Sequence, residues 1–99
     1  MFEEQINRGI DLLDAYGLED WREKALSNLD RLNMYDTTNC LLGIVYGQYG
    51  LGLQALTGQL AGCGAPDCGF NIRSTWDEEY DEIMSKYAIL TEEWKKALR

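Results

Sequence analysis

The chain contains 99 residues, 17 of them acidic and 9 basic, so its net charge is -8, and it has no histidine. This length fits a single domain with one modest core, and an apolar content of 45% with 11% aromatic residues excludes global disorder. The negative charge argues against direct binding to nucleic acid or to anionic membranes, because both select for lysine and arginine. The lack of histidine removes the usual general base and the commonest metal ligand.

Three features of the chain predict a soluble cytoplasmic protein. Its three cysteines are few and odd in number, unlike the even sets of secreted disulfide scaffolds. The acidic sequence of residues 1–6 lacks the basic-then-apolar order of a secretory signal. The most apolar stretch, residues 41–56, is shorter than the about 20 residues that a membrane span needs.

The cysteines Cys40, Cys63 and Cys68 do not predict a catalytic or cofactor site. A structural zinc ion needs four ligands, and only three cysteines are present. A nucleophilic cysteine needs a neighbouring base or cation that lowers its pKa, and residues 37–71 contain no lysine or arginine. We therefore expect no enzymatic activity, no metal and no cofactor, with Cys40 inert inside a helix and with Cys63 and Cys68 reactive in a glycine-rich loop. A disulfide between Cys63 and Cys68 is the alternative.

The first part of the chain predicts two helices. Apolar residues recur at three- and four-residue steps in the first of them: Phe2, Ile6, Ile10 and Leu13. We expect Gly17 to end this helix in the left-handed conformation, with Leu18 folding back on the last turn. A capping box then starts the second helix, with Asp20 as the N-cap and Glu23 reaching back. One face of the second helix holds Trp21, Ala25 and Leu29.

The centre of the chain, residues 37–66, carries no charged residue and holds seven of the ten glycines. We predict a helix from about Asn39, capped by Asp36, Thr37 or Thr38, while a strand also suits its valine, isoleucine and tyrosine. Since each glycine inside a helix costs about 1 kcal/mol relative to alanine, the glycines predict a small-residue groove that a neighbouring helix approaches closely. A break near residues 50–52 would instead give two short helices. Residues 57–70 are predicted to be a loop.

The last third of the chain predicts a long amphipathic helix. Residues 75–78 fit a capping box, and an apolar stripe follows at alternating four- and three-residue steps: Trp76, Tyr80, Ile83, Tyr87, Leu90, Trp94 and Ala97. The fold prediction is therefore all-α, with residues 1–99 forming one compact bundle of four or five helices in which the long C-terminal helix packs on the small-residue groove and on the first helix. We expect a monomer, with a dimer as the alternative. The predicted core comprises Ile6, Ile10, Leu13, Trp21, Leu42, Tyr46, Tyr80, Ile83, Tyr87, Leu90 and Trp94.

An acidic strip at the start of this helix is the candidate binding site. Five carboxylates occupy six positions: Asp77, Glu78, Glu79, Asp81 and Glu82. On one helix, four of them would form two adjacent rows of residues four apart: Asp77, Glu78, Asp81 and Glu82. These rows roughly approximate the charge density of a phosphate backbone. Such a strip would bind a host protein with a basic surface or a nucleic-acid-binding cleft; the alternative is a solvated face that only keeps the protein soluble. Exposed contact residues are also expected among the tyrosines outside the apolar stripes: Tyr16, Tyr35, Tyr46 and Tyr49.

Short motifs along the chain form a recurring set. They are Ile6, Gly9, Leu12, Leu13 and Asp14, then Trp21, Leu29 and Leu32, then Cys40-Leu41-Leu42-Gly43 with Tyr46-Gly47, then Gly69-Phe70, and Tyr87-x-x-Leu90-Thr91-x-x-Trp94. This set resembles a group of small proteins encoded by actinobacteria, their phages and integrated elements, in which a Cys-x-Leu-Gly centre and a C-terminal Leu-Thr-x-x-Trp recur. No activity is assigned to that group, so the resemblance carries over no functional residues.

The resemblance implies a short accessory protein that binds host machinery. Together with the acidic strip, it leads us to predict a small acidic binding protein that inhibits a host nucleic-acid-handling or defence complex, in the manner of anti-CRISPR proteins. The alternative is a structural or assembly component of a phage or mobile element with no inhibitory role. Because the chain departs from the group in residues 61–68 and in the acidic strip, we expect its own function to lie there.

Overall fold

Helices are the only regular elements in the part of the chain that the structure describes. The structure, a computed structural model, describes residues 1–56, 64–72 and 77–99. Its α-helices are α1 (Glu3–Tyr16), α2 (Trp21–Ser27), α3 (Leu41–Tyr46), α4 (Tyr49–Leu56) and α5 (Tyr80–Leu98), and short 3₁₀ helices span Leu29–Arg31 and Ala65–Cys68. α3 packs against α2 and α4, the second 3₁₀ helix packs against α1, and α5 packs against α1 and α2. The prediction of an all-α fold with a long C-terminal helix is confirmed.

α1 follows the predicted apolar spacing. Steric contacts explain why glycine occupies position 9 within the helix and position 17 directly after it. Leu13 is buried, and a Cβ added to Gly9 would lie 2.2 Å from the carbonyl oxygen of Cys68. Gly17 follows the last residue of the helix as predicted, but its φ of -81° and ψ of -176° are not left-handed. A Cβ on Gly17 would lie 2.6 Å from the Leu13 carbonyl oxygen, so the lack of a side chain, and not the backbone conformation, suits glycine to this position.

The junction between α1 and α2 differs from the prediction in its hydrogen bonds. Asp20 is the N-cap of α2, yet its side chain makes no capping hydrogen bond, because its ψ of 17° lies outside the extended region that capping uses. The predicted capping box is therefore wrong, and the Asp20 carboxylate lies 3.9 Å from the Lys24 ammonium instead. Leu18 is exposed, so its predicted return onto α1 is also wrong. The buried Trp21 joins the two helices by donating its indole N–H to the Asp14 carboxylate at 3.0 Å.

The uncharged centre forms two short helices. Gly47 has a φ of 97° and ends α3, so the break lies before residues 50–52. The N-cap of α3 is Cys40, whose sulfur accepts a hydrogen bond from the Gly43 N–H at 3.3 Å. The predicted N-caps are wrong because they form the turn that precedes the helix: Asp36, Thr37 and Thr38.

The glycines of the centre do not form a groove for α5. A Cβ on Gly43 would lie 2.6 Å from the Thr37 carbonyl oxygen, and a Cβ on Gly52 would lie 2.7 Å from the Cβ of Leu42. These two glycines therefore allow close contacts within the centre itself, between α3 and the preceding turn and between α3 and α4. Gly50 has no described atom within 4 Å of an added Cβ. The predicted groove is wrong because the close approaches are made inside this segment.

Residues 65–70 belong to the core, in contrast to the predicted loop. After the second 3₁₀ helix, Gly69 takes a left-handed φ of 73°, and Phe70 is buried. The Phe70 ring stacks on that of Trp94 with centroids 6.4 Å apart and 9° between the planes. Trp94 is fully buried, and its indole N–H donates to the Gly69 carbonyl at 2.6 Å. Residues 57–63, the rest of the predicted loop, lie outside the described residues.

Within residues 80–99, which the structure describes, the apolar stripe of α5 is most deeply buried at Leu90 and Trp94. Leu90 and Trp94 are fully buried, but Tyr80 is 64% exposed, so its predicted place in the core is wrong. Near the end of the helix Leu98 is buried and Ala97 is exposed, because a helix of 3.6 residues per turn drifts by about 20° per heptad from a strict seven-residue repeat. Other predicted core residues are half-buried: Ile10, Tyr46, Ile83 and Tyr87.

Trp94 provides a test of this core. Trp94→Phe leaves the buried Gly69 carbonyl without its donor, so we expect the free energy of unfolding to fall by about 1–3 kcal/mol. Trp94→Ala, which also opens a cavity, is expected to lose about 3–5 kcal/mol. Urea denaturation followed by circular dichroism measures both losses. The matched control is Trp21→Phe, which loses a hydrogen bond to the Asp14 carboxylate. Because that carboxylate is 49% exposed, water can replace the lost donor. A Trp94→Phe protein as stable as this control would contradict the importance of the buried hydrogen bond to Gly69.

Two glycines in helices are expected to respond to alanine with opposite signs. Gly9→Ala should lower the free energy of unfolding by about 1–3 kcal/mol, because its Cβ has no room beside a backbone carbonyl. Gly50→Ala should raise it by about 0.5–1 kcal/mol, because alanine favours the helix and meets no described atom. Thermal unfolding of the two variants and the wild type measures the difference. A higher melting temperature for Gly9→Ala would show that α1 does not approach residues 65–70 closely.

Candidate interaction surface at the start of the C-terminal helix

The start of α5 divides the acidic strip. The helix begins at Tyr80, so the predicted start within a capping box of residues 75–78 is wrong, and residues 73–76 lie outside the described residues. Asp77 and Glu78 precede the helix, Glu79 is its N-cap, and Asp81 and Glu82 lie in its first turn. The two predicted helical rows of carboxylates are therefore also wrong. Like charges four residues apart destabilise a helix, and a start at Tyr80 avoids both such pairs.

Glu78 forms a partly buried ion pair. Its carboxylate lies 2.6 Å from the Lys86 ammonium, and the two side chains are 14% and 32% exposed. This pair ties the segment before α5 to the helix itself. The exposed charge of the strip therefore comes from its other four residues.

These four carboxylates are exposed, and none of them pairs with a cation among the described residues: Asp77, Glu79, Asp81 and Glu82. Basic side chains elsewhere on the chain do pair with acids, as Arg22 does with Asp14 and Lys24 does with Asp20. The strip thus holds four formal negative charges that the described residues leave uncompensated.

Two exposed tyrosines lie in this acidic region. Tyr80 opens α5, and Tyr35, which is 46% exposed, comes from the turn before α3. The electrostatic effect of the nearby Tyr35 raises the pKa of Tyr80. The Tyr35 ring also meets the half-buried Tyr87 edge to face, with centroids 5.3 Å apart. Sequence reasoning missed Tyr80 because it fits the apolar stripe, whereas the position of Tyr35 outside every stripe did indicate exposure.

We call the resulting set the acidic tyrosine surface: Tyr35, Asp77, Glu79, Tyr80, Asp81 and Glu82. Its two aromatic residues come from segments that are distant in sequence. The ring of Tyr35 packs edge to face against Tyr87. Protein interfaces use aromatic residues for contact area and charged residues for steering and orientation. This surface therefore combines exposed aromatic area with negative charge that the described residues do not compensate.

A small cavity lies beside Tyr35 and Tyr87. Its volume is about 90 Å³, far below the about 300–1,000 Å³ of small-molecule sites. Among its lining residues, Asn71 donates from Nδ2 to the Tyr49 hydroxyl at 2.8 Å, while the buried Oδ1 of Asn71 has no partner among the described residues. Its size excludes a site for a metabolite.

Within the described ranges, no three cysteine, aspartate or glutamate side chains are grouped so that they could hold a metal ion. None of the described helices has the length and apolar character needed to cross a membrane. The chain matches no protein-family model, no curated protein and no solved structure.

Both cysteines among the described residues are buried. Cys40 is the N-cap of α3, and desolvation raises the pKa of its thiol. Cys68 is 5% exposed, so the prediction of a readily reactive thiol in an open loop is wrong, because residues 65–68 form a 3₁₀ helix against α1. Cys63, which was predicted to be equally reactive, lies outside the described residues.

Thiol labelling tests this placement. We expect Cys40 and Cys68 to react slowly with a thiol reagent in the folded protein, because the reagent cannot reach buried sulfur atoms. Both should react fully in urea, which serves as the control. Mass spectrometry of labelled peptides assigns each site, and rapid labelling of Cys68 in the folded protein would contradict its burial.

Alkaline pH should destabilise the fold. Desolvation raises the pKa of Cys40, Tyr49 and Tyr87, which all line the cavity, above their ordinary values of 9.0 and 10.0. The folded state holds these protons more tightly than the unfolded state, so the contribution of these three groups to the free energy of unfolding should be constant below about pH 8 and should fall as the pH rises further. Tyr49→Phe should flatten this decline. Urea denaturation at several pH values measures it, and a stability that does not change up to about pH 11 would contradict this expectation.

Proposed function

We propose that this chain is a small acidic binding protein whose acidic tyrosine surface occupies a basic surface of a host nucleic-acid-handling or defence protein and thereby inhibits it. The observation that supports this proposal is the group of four exposed carboxylates, without cationic partners among the described residues, around two exposed tyrosines. A basic cleft attracts such a surface, and the association is fast and sensitive to salt. The resemblance to small actinobacterial and phage proteins is consistent with an accessory role of this kind.

The geometry changes how the surface would compete with nucleic acid. Only Asp81 and Glu82 lie in the helix, so the carboxylates do not repeat at the regular spacing of phosphates. Competition would instead come from the local density of charge, together with the contact area of Tyr35 and Tyr80. Tyrosine is among the residues that contribute most to binding at protein interfaces.

The test compares two variants that remove equal charge. The surface variant carries Asp77→Asn, Glu79→Gln, Asp81→Asn and Glu82→Gln. The control variant changes four exposed acids elsewhere: Asp11→Asn, Glu19→Gln, Glu23→Gln and Asp30→Asn. After circular dichroism has verified both folds, the immobilised proteins capture partners from a nuclease-treated host lysate, and washes at rising salt precede mass spectrometry.

We expect the wild type and the control variant to retain the same nucleic-acid-binding proteins, which added double-stranded DNA displaces. The surface variant should release them at lower salt, because it has lost the charges that attract a basic cleft. If the surface variant retains the same proteins across the whole salt range, the proposal is wrong.

An assembly role is the second candidate, and the exposed face of α4 favours it. Leu51 is 52% exposed on this uncharged helix, and Gly50, Gln54 and Ala55 are exposed beside it. An uncharged face on a strongly acidic protein suits contact with a second copy or with another element-encoded protein. Sedimentation equilibrium of the wild type and of Leu51→Glu tests whether this face mediates self-association. Self-association of the wild type that Leu51→Glu abolishes would support this candidate. A monomer in both cases would argue against self-association through α4.

A further inference from the structure

We propose that the acidic tyrosine surface selects arginine over lysine in its partner, with guanidinium groups stacked on the rings of Tyr35 and Tyr80 and bound by the neighbouring carboxylates. This inference rests on the proposed function and adds the chemistry of the partner, which is an arginine-rich protein segment.

Both tyrosine rings are exposed, and the ring of Tyr35 is also held in place. Tyr80 is 64% exposed and Tyr35 is 46% exposed, and the edge-to-face contact of Tyr35 with Tyr87 limits the motion of the Tyr35 ring. Tyr80 lies close enough to Tyr35 for the two phenols to interact electrostatically. Arginine binds the face of an aromatic ring through cation–π attraction and stacking, and it is more weakly hydrated than lysine. Rings that are fixed before binding lose little conformational entropy when a guanidinium stacks on them.

The carboxylates of Glu79 and Asp81 flank Tyr80 in the chain. Asp81 is close enough to Tyr80 for its negative charge to add to the rise in the pKa of that phenol, and Glu79 adjoins Tyr80 in the chain. A guanidinium offers a planar fork of donors that matches a carboxylate, whereas an ammonium acts as a point charge. Charge alone attracts both cations, so the tyrosines provide the preference for arginine.

The chain already contains one arginine bound in this way. The guanidinium carbon of Arg22 lies 5.0 Å from the ring centroid of Trp21, and the same guanidinium lies 3.2 Å from the Asp14 carboxylate. Aromatic ring, arginine and carboxylate thus form one cluster at the junction of α1 and α2. The acidic tyrosine surface presents two of these three components, and a partner would supply the third.

Two fluorescein-labelled peptides of equal length and charge provide the probes, one built on arginine and the other on lysine, each with glycine and serine between the charges. Fluorescence anisotropy measures their affinities. We expect the wild type to bind the arginine peptide about two- to fivefold more tightly, which corresponds to one exposed cation–π contact. Tyr80→Leu should reduce this preference, because only the Tyr35 ring remains for stacking, and Tyr80→Phe should retain it in full. The matched control is Tyr16→Leu, since Tyr16 is 60% exposed on another part of the surface.

The outcomes separate this inference from the proposed function. One outcome is that the wild type binds both peptides equally and that the surface variant binds neither. This outcome would overturn the arginine inference and leave the proposed function in place. An arginine preference that is undiminished in Tyr80→Leu would also overturn the inference. If the wild type bound neither peptide, both the inference and the proposed function would be wrong. Circular dichroism confirms the helical fold of each variant before its affinities are compared.

Discussion

The buried hydrogen bond from the Trp94 indole to the Gly69 carbonyl is the constraint on which the rest of the structure depends. It joins α5 to residues 65–70 at 2.6 Å, and this segment in turn lies against α1, where Gly9 has no room for a side chain. An unpaired carbonyl at this buried position would cost about 1–3 kcal/mol, a large share of the about 5–15 kcal/mol that holds a typical domain together. One tryptophan and two glycines thus bring three distant segments together.

This core also places the candidate surface. Its contacts hold α5 near Trp94, while the start of the helix projects beyond them and leaves Tyr80 exposed. The ion pair between Glu78 and Lys86 holds the preceding segment. The residues that build this core, among them Gly9, Phe70 and Trp94, do not belong to the acidic tyrosine surface.

Sequence periodicity predicted the elements whose burial follows one helical face. Ile6 and Leu13 of α1 and Leu90 and Trp94 of α5 are such residues, and all four are buried. The burial of Phe70 follows no local pattern, because it depends on the left-handed Gly69 and on contacts with distant helices. The same limit applies to the candidate site: composition identified its carboxylates, but the seven-residue repeat assigned Tyr80 to the core, since the repeat does not reveal where the helix extends past its neighbours. Capping rules likewise did not predict the ion pair of Glu78 with Lys86, because these rules consider only residues within about one helical turn of each other.

The most direct test of the acidic tyrosine surface is a titration of the nitrogen-15-labelled protein with the arginine peptide, followed by proton–nitrogen correlation spectra. We predict shift changes that centre on Tyr35 and on residues 77–82 and extend to Tyr87 through its ring contact with Tyr35. Shift changes centred on other exposed acids, such as Glu3, Glu4 and Asp11, with residues 77–82 unchanged, would contradict the assignment of this surface as the binding site.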